Sequence, residues 1–405
     1  MTADILTFGC RLNAYESEVM RSLAPPDTLV VNTCAVTAEA ERQARQAIRR
    51  AARTDPARPI VVTGCAAQRD PAAWRLPGVA RVLGNADKLR AESWAEAGDS
   101  VSDIMTAKAV PARPVRGIAG RARGFVQVQQ GCDHRCTFCV IPFGRGPSRS
   151  LPDAEVLAQA RALLDAGVRE IVLTGVDIAS YGADLPDRPG IGTLARRLLA
   201  HLPDLTRLRF SSLDPAALGA DFWDLLAEEP RMMPHLHLSL QSCSDLILKR
   251  MKRRHLAADA RAAIARARAL RPGIAIGADL IAGFPTETEA LFAETLDFVT
   301  DMALPYLHVF PYSERPGTPA ARMPAVSVAL RRERAARLRA AGEANARAFF
   351  AAQHGRAVSV LTEAGATGHS EHFAPVRLAR PAAPGSLIAA RVTGSDGAGL
   401  RAEAA

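Results

Sequence analysis

With 405 residues the chain is long enough for two or three domains and at least one large core. It is 48% apolar and 23% charged, with neither a low-complexity tract nor an apolar run long enough to cross a bilayer, which excludes disordered, fibrous and membrane-spanning classes. The formal charge of +9 suits a polyanionic partner, but it rests almost wholly on Arg beside abundant Ala. GC-rich coding produces the same bias, so charge alone leaves nucleic-acid binding open.

The N-terminus, MTADILTFGC, lacks the basic region and apolar run of a secretory signal, and a cytoplasmic location is expected. The seven cysteines are odd in number and grouped, which in that compartment points to metal or redox chemistry and not to disulfides. In the first third a strand-like run ending in Cys recurs: DILTFGC, TLVVNTC and PIVVTGC, closing at Cys10, Cys34 and Cys65. AVTAEAERQARQAIRRAAR after Cys34 predicts a helix with Thr37 as N-cap. Strands alternating with helices imply a parallel sheet, whose strand ends gather on one edge. The three cysteines should therefore face a common point. Asp99–Gly124, with Pro111, Pro114, Gly117, Gly120 and scattered Arg, reads as a linker with a boundary near residue 120.

Strands are then expected at 125–130, 169–175, 207–212, 235–240, 274–281 and 304–310, separated by helical stretches such as PDAEVLAQARALLDAG and ADARAAIARARAL. Six such units suggest a parallel barrel, complete or incomplete, with its active site at the C-terminal strand ends. Small and polar residues gather there: Gly175 and Asp177, Ser211 and Ser212, Ser239 and Gln241, and Asp279. A long Arg- and Ala-rich helix is predicted over 327–352. Beyond Gly355, RAVSVLTEA, APVRLAR and SLIAARVTG are short and alternating, the pattern of a small β-barrel-like unit. The division expected is 1–110, a linker at 111–123, 124–352 with its closing helix, and 353–405.

Cys132, Cys136 and Cys139 form C-x3-C-x2-C just after the first strand of the central unit. Four thiolates close an iron–sulfur cluster, and three leave one iron open, as catalytic metal sites do. A zinc site would need a fourth ligand, for which His134 is the local candidate at a cramped spacing.

This spacing resembles that of the radical S-adenosylmethionine enzymes. The resemblance implies that the amino and carboxylate groups of S-adenosylmethionine chelate the open iron, and that one electron cleaves its sulfonium to a 5′-deoxyadenosyl radical. It also implies that Phe138 packs near the adenine. With GCRLNAYESE, NTCAVTAEAERQARQAIRRA and VVTGCAAQ, and with LTGVDIASYG, LRFSSLDP, LHLSLQSCSDLILKRMKRRH, ADLIAGFPTET and HVFPYSERPGTPAA, the chain resembles the methylthiotransferase branch along nearly its whole length. The implied fold is α/β: an N-terminal parallel α/β domain, a central partial (β/α)6 radical-SAM barrel and a small C-terminal all-β, TRAM-like domain. The implied cofactors are two [4Fe-4S] clusters, one on Cys132, Cys136 and Cys139 and an auxiliary one on Cys10, Cys34 and Cys65 that carries the sulfur to be transferred, plus S-adenosylmethionine as methyl donor and radical source. Phe138, Gly175, Asp177, Ser212, Ser239, Gln241 and Asp279 are the candidate cofactor contacts; no catalytic acid or base is assigned.

Asn13-Ala14-Tyr15-Glu16 and the basic run Arg42–Arg53 resemble the branch acting on threonylcarbamoyladenosine in tRNA. Isopentenyladenosine in tRNA, or an aspartate of a ribosomal protein, are the alternatives. A non-enzymatic iron–sulfur redox sensor that binds RNA is the alternative outside enzymes, against which the strand-end polar residues and GFPTET stand. The expected partners are the tRNA anticodon stem-loop, an electron donor such as flavodoxin or ferredoxin, and a sulfur donor, with no membrane. The C-terminal segment GHSEHFAPVRL resembles the family's RNA-binding module if His369 and Phe373 replace its tyrosines; a generic β cap is the alternative. The run between Cys10 and Cys34 is too short for the extra strand usual in the family. Cys243 stands where a glycine is usual and reads as a small buried residue. The run Lys249–His255 suits either phosphate or a solvated helix end. Arg145 and Arg149 are candidate carboxylate or phosphate clamps.

Overall fold

The computed structural model describes residues 3–405 apart from 112, 116 and 118–121, so part of the expected linker, Gly120 included, lies outside the described residues. Four short runs form a parallel sheet in chain order: β1 (Asp4–Thr7), β2 (Leu29–Thr33), β3 (Ile60–Gly64) and β4 (Val79–Val82). The sheet centre is set by the fully buried LVVNT and IVVTG. Continuous apolar runs of this kind are what a strand covered on both faces requires. β4 was not expected: VARV is brief and half-exposed, so it carries no strong pattern. Between Cys10 and Cys34 the chain forms the helix Arg11–Arg21 and no additional strand. The helix Ala38–Thr54 starts where expected, with the Thr37 hydroxyl accepting from Ala40 N–H at 3.2 Å.

Six parallel strands build the central unit: β5 (Arg123–Gln127), then, after two short strands described next, β8 (Glu170–Thr174), β9 (Arg207–Phe210), β10 (His235–Gln241), β11 (Ala275–Ala282) and β12 (Tyr306–Pro311). They pair as β5-β8-β9 and β10-β11-β12, joined by bridges at Leu208–Met232 and Leu213–Leu238. The run expected as one strand at 125–130 is broken at Val128. Its tail, β6 (Gln129–Gln130), turns to pair antiparallel with β7 (Arg149–Ser150), clamping the base of the cysteine loop.

Alternate residues of the six strands face the helices and form the main core, among them Val126, Leu173, Leu208, Leu236, Ala278 and Leu280. Between them Arg123, Phe125, Glu170, Val172, Arg207, Arg209, His235, His237 and Asp279 point the other way, as the period of two demands. The helix Arg11–Arg21 lies across this inner face, its Leu12 and Tyr15 packing with Phe125 and Val172. The N-terminal sheet is thus docked on the concave side of the barrel.

The helix Val328–Ala351, capped by Ser327, leads to a closed five-stranded barrel: β13 (Ala357–Thr362), β14 (Thr367–Ser370), β15 (Pro375–Leu378), β16 (Leu387–Ser395) and β17 (Leu400–Ala404), in the order β13-β14-β15-β17-β16. β14 and β17 were not expected, being short and polar on alternate positions. This barrel sits on the starts of the central strands. Arg207 donates to Ser359 O and Ser359 Oγ, Arg209 to Ser370 O, and Phe373 stacks on His235 at 5.0 Å. Arg123 and Arg209 lie over the Phe373 ring. His369 and Phe373, expected to stack on RNA, are half-buried in this internal contact, because the inner face presents two arginines to the Phe373 ring and His369 packs on that ring at 5.0 Å. Among the described residues no helix is long and apolar enough to cross a membrane.

Candidate active site

Each N-terminal cysteine stands past the end of its strand. Cys10 follows β1, Cys34 follows β2, and Cys65 opens the helix Cys65–Arg69 directly after β3. The turn into Cys65 requires glycine: Gly64 has φ +100°, and a Cβ there would lie 2.3 Å from Thr33 O. The second trio hangs on the loop between β6 and β7. Cys132 N–H donates to Gly146 O at 3.1 Å, and Gln129 Nε2 ties the same loop to Gly131 O at 2.7 Å and Ser148 Oγ at 2.9 Å.

All seven cysteines are free. Sulfurs of both trios accept N–H donors: Cys34 from Val36 N (3.4 Å), Cys139 from Ile141 N (3.4 Å), Cys65 from Arg145 Nε (3.1 Å) and Cys136 from Arg253 Nη1 (3.7 Å). Donors aimed at sulfur stabilise thiolate charge, and this donor set fits iron–sulfur ligation. Burial pushes the thiols of Cys34 and Cys132 up to about 12 and Cys139 up to about 11, so metal capture here must release protons. The stretch after Cys139 packs on Cys65: a Cβ added at Gly144 would lie 3.1 Å from Cys65 O, and Arg145 Nε reaches Cys65 Sγ, so the two trios meet across the domain contact. His134, the fourth ligand of the zinc alternative, is 3.0 Å from Asp177. Cys132, His134 and Asp177 do gather within 4.8 Å, but this grouping leaves out Cys136 and Cys139.

Between the trios lies a buried polar network. Arg145, 1% exposed, donates to Glu16 and to Asn13 Oδ1 as well as to Cys65. Lys88 Nζ donates to Glu16 Oε2 at 2.6 Å and to Asn32 Oδ1 at 3.3 Å, and Gln130 Nε2 reaches Glu16 Oε1 at 3.1 Å. Burial alone would raise the Glu16 carboxyl, but Arg145 and Lys88 overrule it and hold it below the usual range. Two cations face one carboxylate, and the surplus positive charge is spent on the Cys65 sulfur. Arg145 is therefore no open clamp for substrate. Nor is Arg149, whose guanidinium donates to the carbonyls of Arg145, Pro147 and Ala109. Lys88 gave no signal in sequence, since nothing local marks a lysine as buried.

The other expected contacts sit as follows. Phe138 packs edge-on against Phe284 at 6.4 Å. Gly175 leaves room for Gln129 O, 2.7 Å from an added Cβ. Asp177 holds His134 and accepts from Ser180. Ser212 follows β9, and Gln241 ends β10 at φ +68°. Ser239 O accepts from Arg253 at 2.8 Å. Asp279 lies three residues short of the end of β11, and its carboxylate is shared by His237 Nε2 (3.0 Å) and His308 Nδ1 (3.1 Å). In the basic run, Arg253 and Arg254 each lie 3.2 Å from Asp214, Arg250 binds Thr286, and His255 is buried. Arg250, Arg253 and His255 thus brace the cysteine loop from inside, while Lys249, Lys252 and Arg254 are exposed. Cys243 is 4% exposed in the main core, as its reading as a small apolar residue expected.

Residues 126–299 match the radical SAM superfamily, and residues 2–83 match an uncharacterised protein family, UPF0004. The chain is 46% identical, over 97% of its length and 95% of the relative's, to the threonylcarbamoyladenosine tRNA methylthiotransferase MtaB of Rickettsia prowazekii. It is 35% identical to the protein of that name from Bacillus subtilis, over 88% of this chain and 84% of that one. It is also 35% identical to a tRNA-2-methylthio-N(6)-dimethylallyladenosine synthase of Cereibacter sphaeroides, over 98% and 97%. Among solved structures, the radical S-adenosylmethionine methyltransferase TsrM of Kitasatospora setae shares the fold, with a TM-score of 0.55 at 17% identity over 77% of this chain and 67% of that one.

Proposed function

We propose that this chain, which belongs to the radical S-adenosylmethionine methylthiotransferases, converts threonylcarbamoyladenosine beside the tRNA anticodon to its 2-methylthio derivative. S-adenosylmethionine and a [4Fe-4S] cluster are the cofactors of its superfamily. The observation that carries the proposal is the meeting of two cysteine trios across one buried arginine, in a chain 46% identical to a relative named for this substrate. Cys132, Cys136 and Cys139 would hold the cluster that supplies the electron for cofactor cleavage, and Cys10, Cys34 and Cys65 a second [4Fe-4S] cluster that supplies sulfur.

The chain's own part is placement. Arg145 fixes the distance between the trios, since its guanidinium is bound on the N-terminal side while its backbone belongs to the cysteine loop. Arg253 ties Cys136 to Asp214 and to the end of β10. Phe138, Gly175, Asp177, Ser212, Ser239, Gln241 and Asp279 are the wall proposed for S-adenosylmethionine. We assign the auxiliary site to residues 1–110, the radical core to 124–352 and an accessory β unit to 353–405, joined through 111–123. An electron donor such as flavodoxin or ferredoxin, a sulfur donor and a cytoplasmic setting complete the reading.

Mass spectrometry of digested tRNA from a strain lacking the gene tests it. Loss of 2-methylthio-threonylcarbamoyladenosine is expected. Persistence of that nucleoside with loss of the isopentenyl analogue, or of a methylthio-aspartate, would show the wrong branch. Reconstituted protein should hold about eight irons, and Cys34→Ala should lose about half while still cleaving the cofactor.

A further inference from the structure

The three parts of the chain line a partly open cavity of about 140 Å³. Arg11 enters it from the position after Cys10; Arg123, Phe125, Arg209 and His235 line it from the inner face of the barrel, and Phe373 from the C-terminal unit. The acids around it are engaged. Glu170 accepts from Arg209 at 2.8 Å and Arg207 at 3.3 Å, Glu363 pairs with Arg123 at 2.8 Å, and Asp279 is shared by His237 and His308. The Arg11 guanidinium has no hydrogen bond or ion pair with any described residue.

Two further groups are unspent. Arg209 Nη1 and His235 Nδ1 are buried with no partner among the described residues, on side chains 3% and 5% exposed. A buried polar atom left unpaired costs about 1–3 kcal/mol. A guanidinium with no direct partner, an orphaned guanidinium nitrogen and an orphaned imidazole nitrogen around one small cavity, with Phe125 and Phe373 as apolar walls, are the counterpart of a small anion on an organic stem. Arg11, which enters the cavity, directly follows Cys10 in the chain.

We propose that this cavity receives the carboxylate of the amino-acid group carried on the substrate base, and that Arg11 is the residue that selects it. The inference rests on the threonylcarbamoyl reading above and gives it a cause. A neutral isopentenyl group would leave Arg11, Arg209 and His235 unpaired, and sites built for a polar group reject analogues lacking it far more strongly than apolar pockets reject polar ones.

The test uses reconstituted holoenzyme and two anticodon stem-loops, one carrying threonylcarbamoyladenosine and one an N6-alkylcarbamoyladenosine without the carboxylate. Wild type should prefer the first. Arg11→Gln should lower kcat/KM on it by about 10- to 100-fold and leave the second nearly unchanged, while Arg11→Lys restores part of the loss. Arg123→Gln, farther from the cysteines, should show the same selectivity if Arg11→Gln proves to lose iron. Equal losses on both stem-loops would mean that the arginines serve the backbone phosphates or the fold, and would overturn the inference, as would a wild type indifferent to the carboxylate. If wild type modifies neither stem-loop but acts on isopentenyladenosine, it is the substrate reading itself that falls.

Discussion

Glu170 shows how a single side chain can hold two units together. It is 1% exposed and binds Arg207 and Arg209, which in turn reach Ser359 and Ser370 of the C-terminal barrel. Burial alone would raise its carboxyl, but Arg209, Arg207 and Arg123 hold it below the usual range. Glu170→Gln leaves buried guanidinium groups without a counter-charge and should cost about 3–5 kcal/mol, read as a lower urea midpoint. The sign of the pH dependence follows. A depressed carboxylate contributes fully above its unfolded value, near 4.3, and the contribution fades as pH falls through the lower folded value. The gap between wild type and Glu170→Gln should therefore be constant from about pH 6 to 8 and shrink below about pH 4. A gap that widened in acid would contradict this.

At the scale of elements, the cysteine loop is governed by its entry. Gly131 has φ +73°, and a Cβ there would lie 1.8 Å from Pro147 O, so the loop closes on itself only without a side chain. Gly131→Ala should push the two arms apart, break the Cys132 N–H bond to Gly146 O and halve the iron content, leaving the N-terminal trio loaded. Iron at the wild-type level would mean that the β6–β7 clamp, and not the glycine, sets the loop. The same element explains what was legible in sequence. Strand and helix positions follow from local periodicity, so the six central strands fall within a few residues of expectation. The break at Val128 does not, because it depends on a partner strand that lies across the loop.

At the scale of the molecule, the small β-barrel closes the end of the central barrel where its strands begin. Removing residues 353–405 should expose Arg207, Arg209 and His235 to water and lower the melting temperature of the remainder, with the iron content unchanged because no trio cysteine touches that contact. Calorimetry and iron assay of the truncated protein check both. An unchanged melting temperature would mean that the unit is an appendage.

The six cysteines, their grouping and the alternation of strands and helices were determined by sequence alone, since ligand spacing and hydrophobic period are properties of short stretches. The contacts that give those residues their chemistry were decided only in three dimensions. Arg145 meets Glu16 across 129 residues, Lys88 across 72, and Phe373 meets His235 from another domain. No local pattern marks a charge as destined for burial, because burial depends on which surfaces the whole fold brings together, and a charge survives there only when its partners arrive with it.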